Sequence, residues 1–120
     1  MTQSLVIPNF LPAQLANGPH EHWATKQSKK REASSMVRMA AMLAKWTPVP
    51  GRVRLDITFV FPQKRRRDYD NLVARTKGLL DGLKGRWFED DDLEHLDLHV
   101  TAIVEPKVKE TRITLQEAAK

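Results

Sequence analysis

Four fixed positive charges, Lys64, Arg65, Arg66 and Arg67, abut two carboxylates, Asp68 and Asp70, which are separated by one residue and followed by Asn71. The cationic run suits a polyanion, because lysine and arginine neutralise phosphates and fix a nucleic acid in register. Hard oxygen ligands such as Asp68 and Asp70 suit Mg²⁺, with Mn²⁺ as a substitute. Side by side, the two halves have the makings of a metal-dependent phosphodiesterase. The competing interpretation of the octet is a charged surface turn in which the carboxylates neutralise neighbouring arginines. Two aspartates are few ligands for a hydrolytic metal site, and a third carboxylate from another element usually completes the shell. The acidic knot Glu89, Asp90, Asp91, Asp92 and Glu94 offers one.

The elements that must position these groups follow from periodicity. A short strand is expected at Leu5 to Ile7, after which Pro8, Pro12, Asn17, Gly18 and Pro19 impose a long loop. From about Ala24 to Trp46 the pattern is helical, with Met36, Met39, Ala40 and Leu43 as the buried face and Lys29, Lys30, Arg31 and Arg38 left for water or phosphate. Thr47, Pro48, Pro50 and Gly51 end that helix. A period of two then sets in, with Val53, Leu55, Ile57 and Phe59 on one face of a strand that Pro62 stops. The cation-carboxylate octet therefore falls in the loop leading to a second helix from about Asp70 to Leu83, whose stripe is Leu72, Val73, Leu79, Leu80 and Leu83. On one continuous helix, Asp70, Lys77 and Asp81 share a polar face. After Gly85 and the acidic knot, Leu96, Leu98, Val100 and Ala102 line another strand. Glu105 to Glu110 is expected to be a hairpin connection to a last strand carrying Ile113 and Leu115, with a polar tail from Gln116. The order β, α, β, α, β, β predicts an α+β (mixed α/β) fold: a single domain over residues 1–120, with a small mixed sheet of about four strands covered by two helices.

Composition narrows the function. The 20 Lys and Arg outweigh 15 Asp and Glu, a net charge of +5 that favours an anionic partner. With no cysteine, disulfides and thiolate metal sites are excluded, which fits a reducing cytoplasm. No stretch approaches the roughly 20 apolar residues a bilayer demands, and the first residues lack the pattern of a secretory signal. His20 and His22 form an HxH with no partner ligand at a zinc spacing, Ser34 and Ser35 have no nucleophile elbow, and no glycine-rich phosphate loop exists. Trp23, read as part of the loop, is either a base-stacking group or a hydrophobic plug.

RRRDYDNL, a downstream lysine with LLDGL, and GRWFEDD ahead of an apolar residue together make the chain resemble the RusA family of Holliday junction resolvases, endodeoxyribonucleases carried mainly by phages and prophages. The resemblance is strongest from Pro62 to Leu93. It matches Asp68, Asp70 and Asn71 to the family's DxDN box without a gap. The family's lysine normally stands where this chain has Ala74; the KGLLDGL segment arrives three residues later, which makes Lys77 the counterpart across a short insertion. For the third aspartate, the family's offsets from the glycine, the aromatic and the apolar strand residue all select Asp90, counted from Gly85, Trp87 and Leu93. Asp91 is the alternative if one residue has been inserted before the pair.

The resemblance implies a cytoplasmic homodimer with two Mg²⁺-dependent sites that introduces paired nicks into a four-way DNA junction in recombination and repair. In it, Asp68, Asp70 and Asp90 hold the metal, Lys77 offsets developing charge, and Lys64, Arg65, Arg66, Arg67 and Asn71 contact DNA. Two other functions share these residues: a nucleic-acid-binding protein without catalysis, and a general metal-dependent nuclease.

Overall fold

The computed structural model describes residues 2–13 and 23–119. His20 and His22, like Asn17, Gly18 and Pro19 of the first loop, lie outside the described residues. The elements are β1 (Thr2–Pro8), α1 (Trp23–Leu43), β2 (Val53–Phe61), α2 (Tyr69–Ala74), α3 (Lys77–Leu83), β3 (Leu96–Val104) and β4 (Glu110–Glu117). Trp23 thus opens α1 instead of belonging to the loop. No helix among the described residues is long and apolar enough to cross a membrane.

The four strands form one mixed sheet in the order β1-β4-β2-β3. β2 runs parallel to β3, with Val53 opposite Leu96 and Phe61 opposite Val104, and antiparallel to β4. Strand alternation explains the core: Val53, Leu55, Ile57, Phe59 and Phe61 of β2 are buried, together with Leu96 and Val100 of β3 and Ile113 and Leu115 of β4. The last connection is not a hairpin. β4 pairs with β1 and β2 and has no pairing with β3, so residues 105–109 cross the end of β2. The crossing is anchored where Glu105 N–H donates to the Phe61 carbonyl (3.1 Å), and it turns at Lys107 with φ 67°. An antiparallel partner on β2's other side gives both strands a buried row. β4 also continues through Gln116 to Glu117, where a polar tail was expected.

α1 presents a different face from the one its large apolar residues suggest. Ala33, Val37 and Ala41 are buried, whereas Met39 is 62 % and Leu43 77 % exposed. The cause lies in α3, where a Cβ built on Gly78 would sit 2.7 Å from the Ala33 Cβ, and one on Gly82 would sit 2.5 Å from Val37 Cγ1. Two glycines four residues apart let the helix backbones meet, and only small or β-branched residues of α1 fit against them. Ser34 Oγ donates to the Gly78 carbonyl at 2.7 Å and Arg38 Nε to the Gly82 carbonyl at 3.3 Å, bonds that this close approach permits.

The second helix is broken. At its interruption Thr76, 1 % exposed, uses both its N–H (3.0 Å) and its hydroxyl (2.7 Å) on the Val73 carbonyl. This tight i to i−3 bonding stops α2 and lets α3 start in a new direction. Arg75 reaches from the break to the Pro12 carbonyl (2.7 Å) and lies 5.5 Å from the Phe61 ring centroid. The apolar stripe survives, with Leu72, Leu79, Leu80 and Leu83 buried. The face argument joining Asp70 to Lys77 does not, because it required one uninterrupted helix.

Candidate metal and DNA site

The loop after β2 is tied to the sheet by one of its own arginines. Arg67 lies 3.6 Å over the Phe61 ring and donates to the Arg65 and Gln63 carbonyls, each at 3.2 Å. Burial, and next the charge of Arg65, push its pKa down. Arg65 is held by Gln63 Oε1 at 2.9 Å. Arg66, by contrast, is 94 % exposed and lies only loosely beside Asp68 at 3.8 Å. Of the cationic run, Lys64 and Arg66 are therefore the most available to an external phosphate.

Asp68 occupies the N-cap position of α2, with extended backbone (φ −80°, ψ 145°) and its carbonyl accepting from Asn71 and Leu72 N–H. An N-cap aspartate ordinarily spends its carboxylate on the helix's free N–H groups. Here it makes no such bond, and the side chain is 60 % exposed. Asp70, in the first turn of α2, is also exposed and has no ion pair among the described residues. Asp68 has the ion pair with Arg66 and Asp70 has none among the described residues, and two exposed, acceptor-only carboxylates are a donor set that fits a hard divalent cation. Lys77 opens α3 and is exposed, while Asp81 pairs with Lys84 (3.7 Å) instead of with Lys77. Asn71 uses its backbone carbonyl to accept Arg75 N–H at 3.2 Å.

The acidic knot is sorted by its partners. His95 bridges two of its members, with Nε2 3.0 Å from Glu89 and Nδ1 2.6 Å from Asp92. Lys84 lies 3.7 Å from Asp91. Among the described residues, Asp90 makes no ion pair with any cation; it accepts the Asp91 N–H at 2.8 Å, and this bond holds its pKa below the usual carboxylate range. Three of the five acids of the knot, Glu89, Asp91 and Asp92, thus lie beside His95 or Lys84, which leaves Asp90 and Glu94 without an ion pair among the described residues. Of Asp90 and its alternative Asp91, it is Asp91 that has Lys84 beside it. The hydrogen bond to Asp92, followed by the charges of Asp92, Glu89 and Asp90, raises the His95 pKa against the opposing effect of burial. The His95 bridge was missed in the sequence, although its three-residue spacing from Asp92 was a local signal.

The two groups of carboxylates are far apart within one chain. The knot leads into the start of β3, with Val53 N–H on the His95 carbonyl at 2.8 Å and Gly51 N–H near Glu89 at 3.5 Å. The octet lies toward the other end: Arg67 packs on Phe61, the last residue of β2, and Arg65, Arg67, Tyr69 and Leu72 line one groove with the second half of β3, from Val100 to Val104. β2 has nine residues between these ends, roughly 26 Å at about 3.3 Å per step. Accordingly, among the described residues no three Asp, Glu, His or Cys side chains group to hold a metal ion.

Residues 14–116 match the family model for the endodeoxyribonuclease RusA. An uncharacterized protein of Xylella fastidiosa is 32 % identical over 85 residues, covering 68 % of this chain and 55 % of that protein. The chain thus spans about half the length of this relative.

Proposed function

The chain belongs to the RusA endodeoxyribonuclease family, and from that membership we propose that it is a Mg²⁺-dependent endodeoxyribonuclease that resolves four-way DNA junctions as a homodimer. The observation that carries this reading is the pair of exposed carboxylates, Asp68 and Asp70, neither spent on capping α2, directly beside the cationic loop at Lys64 and Arg66. Asp90 supplies the third carboxylate. Since it stands at the opposite end of the β2 and β3 pair, each site takes Asp68 and Asp70 from one copy and Asp90 from its partner. Mg²⁺, or Mn²⁺ in its place, would neutralise the scissile phosphate and lower the pKa of an attacking water.

The chain's own residues do the rest. Lys64 and Arg66 anchor phosphates flanking the cut, Arg67 stiffens the loop that carries them, and Asn71 lies one residue beyond Asp70 to contact the strand. Lys77 is the cation assigned to offset charge on the phosphate. Two sites related by a two-fold axis suit a junction whose strands are related by approximate two-fold symmetry. The protein acts in a bacterial cytoplasm, where such junctions arise in recombination and repair.

A mixing experiment tests this reading. Asp70→Asn and Asp90→Asn chains each lose Mg²⁺-dependent cleavage of a four-way junction while still binding it. When they are mixed and allowed to exchange, each mixed dimer regains one site with all its carboxylates, so about a quarter of wild-type sites return. A mixture that stays inactive refutes the shared site, and unimpaired cleavage by either variant alone refutes the assignment of that residue. Cleavage of linear duplex at the junction's rate makes the protein a general metal nuclease instead.

A further inference from the structure

We infer that the second copy docks along the free edge of β3, with the two β3 strands antiparallel about a two-fold axis and Leu93 of each copy seated in the groove formed by Phe61, Tyr69 and Val104 of the other. The inference takes from the preceding reading only that the protein acts as a homodimer.

Among the described residues β3 is an edge strand, paired with β2 alone. Its nine residues, LDLHVTAIV, include neither lysine nor proline, two of the devices that keep an exposed edge from recruiting another strand, and its one carboxylate, Asp97, lies 3.1 Å from His99 of the same strand. The flanks of the strand differ. Before it stands Leu93, 89 % exposed, within the acidic stretch Glu89 to Glu94. Along its second half, from Val100 to Val104, runs an open groove that Phe61, Tyr69 and Leu72 line from the other side, with Arg65 and Arg67 as its cations. The start of β3 therefore carries an apolar knob in a stretch with an excess of acids, although Arg52 donates to the Leu93 carbonyl (3.3 Å), and its second half borders an apolar hollow beside a loop in which Lys64 to Arg67 outnumber Asp68 and Asp70.

A two-fold interface must be self-complementary, since whatever one copy offers at one point it receives at the symmetric point. Antiparallel pairing of β3 with itself meets this condition twice, because each acidic end falls on the partner's basic end. In a chain of net charge +5, it also turns self-association at this face from repulsive to attractive. The same operation brings the Asp90 end of one copy beside the Asp68 and Asp70 end of the other. The groove at the opposite edge, where Leu5 and Ile7 of β1 meet Met36, Met39 and Leu43 of α1, has no charged rim. It is also at the wrong edge of the sheet to unite the carboxylates.

The full chain without DNA or metal is the material for the test. Sedimentation velocity should find wild type as a two-chain species. Leu93→Asp should weaken that dimer by about 30-fold or more, with unchanged circular dichroism because the Leu93 side chain is exposed in the single chain. The protein has no cysteine, so single cysteines placed in turn at Asp97, His99, Thr101 and Ile103 can be oxidised; at least one should cross-link two chains, whereas Ser4→Cys on β1 should not. A single-chain wild type, an unweakened Leu93→Asp dimer, or cross-linking through Ser4→Cys alone overturns the inference. Because these readouts need no catalysis, a β3-linked dimer that fails to cleave junctions sinks only the nuclease reading. A cleaving protein whose dimer ignores Leu93→Asp sinks only the interface.

Discussion

Gly82→Ala puts two opposing effects at one position and lets the structure choose between them. Intrinsic helix propensity favours alanine by about 1 kcal/mol, so on propensity alone the substitution stabilises α3. The new methyl, however, would sit 2.5 Å from Val37 Cγ1, 2.8 Å from the Ser34 carbonyl oxygen and 2.9 Å from Ser34 Cα. Two of these atoms are α1 backbone, and Val37 is fully buried, so relief requires the helices to separate. Overpacking of this kind costs about 1–3 kcal/mol. Separation also stretches the Ser34 Oγ bond to Gly78 and the Arg38 Nε bond to Gly82, each worth about 1 kcal/mol. The net expectation is destabilisation by about 2 kcal/mol, a large share of a typical 5–15 kcal/mol. Equilibrium urea unfolding at 25 °C measures it, read as a lower midpoint at unchanged m-value. A midpoint higher than wild type would refute the argument, because it would mean that α1 and α3 are not in backbone contact and that propensity decides.

Three further outcomes follow from local features. Lys45 holds φ 58° after the end of α1, where Trp46 N–H closes on the Ala41 carbonyl at 3.0 Å; Lys45→Gly relieves a left-handed lysine worth about 1 kcal/mol and should raise the melting temperature by about 4 °C. The raised pKa of His95 means that the folded state binds its proton more tightly than the unfolded state. The contribution of His95 is therefore fully present below its ordinary value near 6.5 and is lost as pH rises through the higher folded value. Urea midpoints should show this decline in wild type and lose it in His95→Gln, and an NMR titration placing His95 at or below 6.5 contradicts it. Arg75→Ala removes the bond to the Pro12 carbonyl and the contact with Phe61, at a cost of about 2 kcal/mol in the same unfolding assay; a change under about 0.5 kcal/mol would show that Arg75 does not hold the first loop.

Legibility varied with the range of the interaction. β2 reads directly, since alternation from Val53 to Phe59 is a property of neighbours along the chain, and the leucine stripe of α2 and α3 survives even where Thr76 breaks the helix. The buried face of α1 reads wrongly because side-chain size was weighed without its partner: Gly78 and Gly82 make Ala33 and Ala41 core residues and leave Met39 and Leu43 outside. The hairpin expected before β4 failed for a similar reason. Turn residues at 105–109 mark a change of direction, but which strand receives the chain depends on β2 having a second edge to fill.

For the candidate site, sequence by itself determined which groups are on offer: hard carboxylates next to a cationic run, no thiolate, and an acidic knot further along the chain. These are matters of residue type and short spacing, which folding does not alter. Tertiary structure decided which groups are free and where they stand. Lys84 and His95 engage Asp91, Asp92 and Glu89 and leave Asp90 without a cationic partner. The parallel β2 and β3 pair sends Asp90 to one end of the sheet and Asp68 and Asp70 to the other. A β-α-β crossover must return its helix to the starting end before the next strand begins, so Asp70 and Asp90, 20 apart in sequence, stand toward opposite ends of that pair, a placement that spacing along the chain does not reveal.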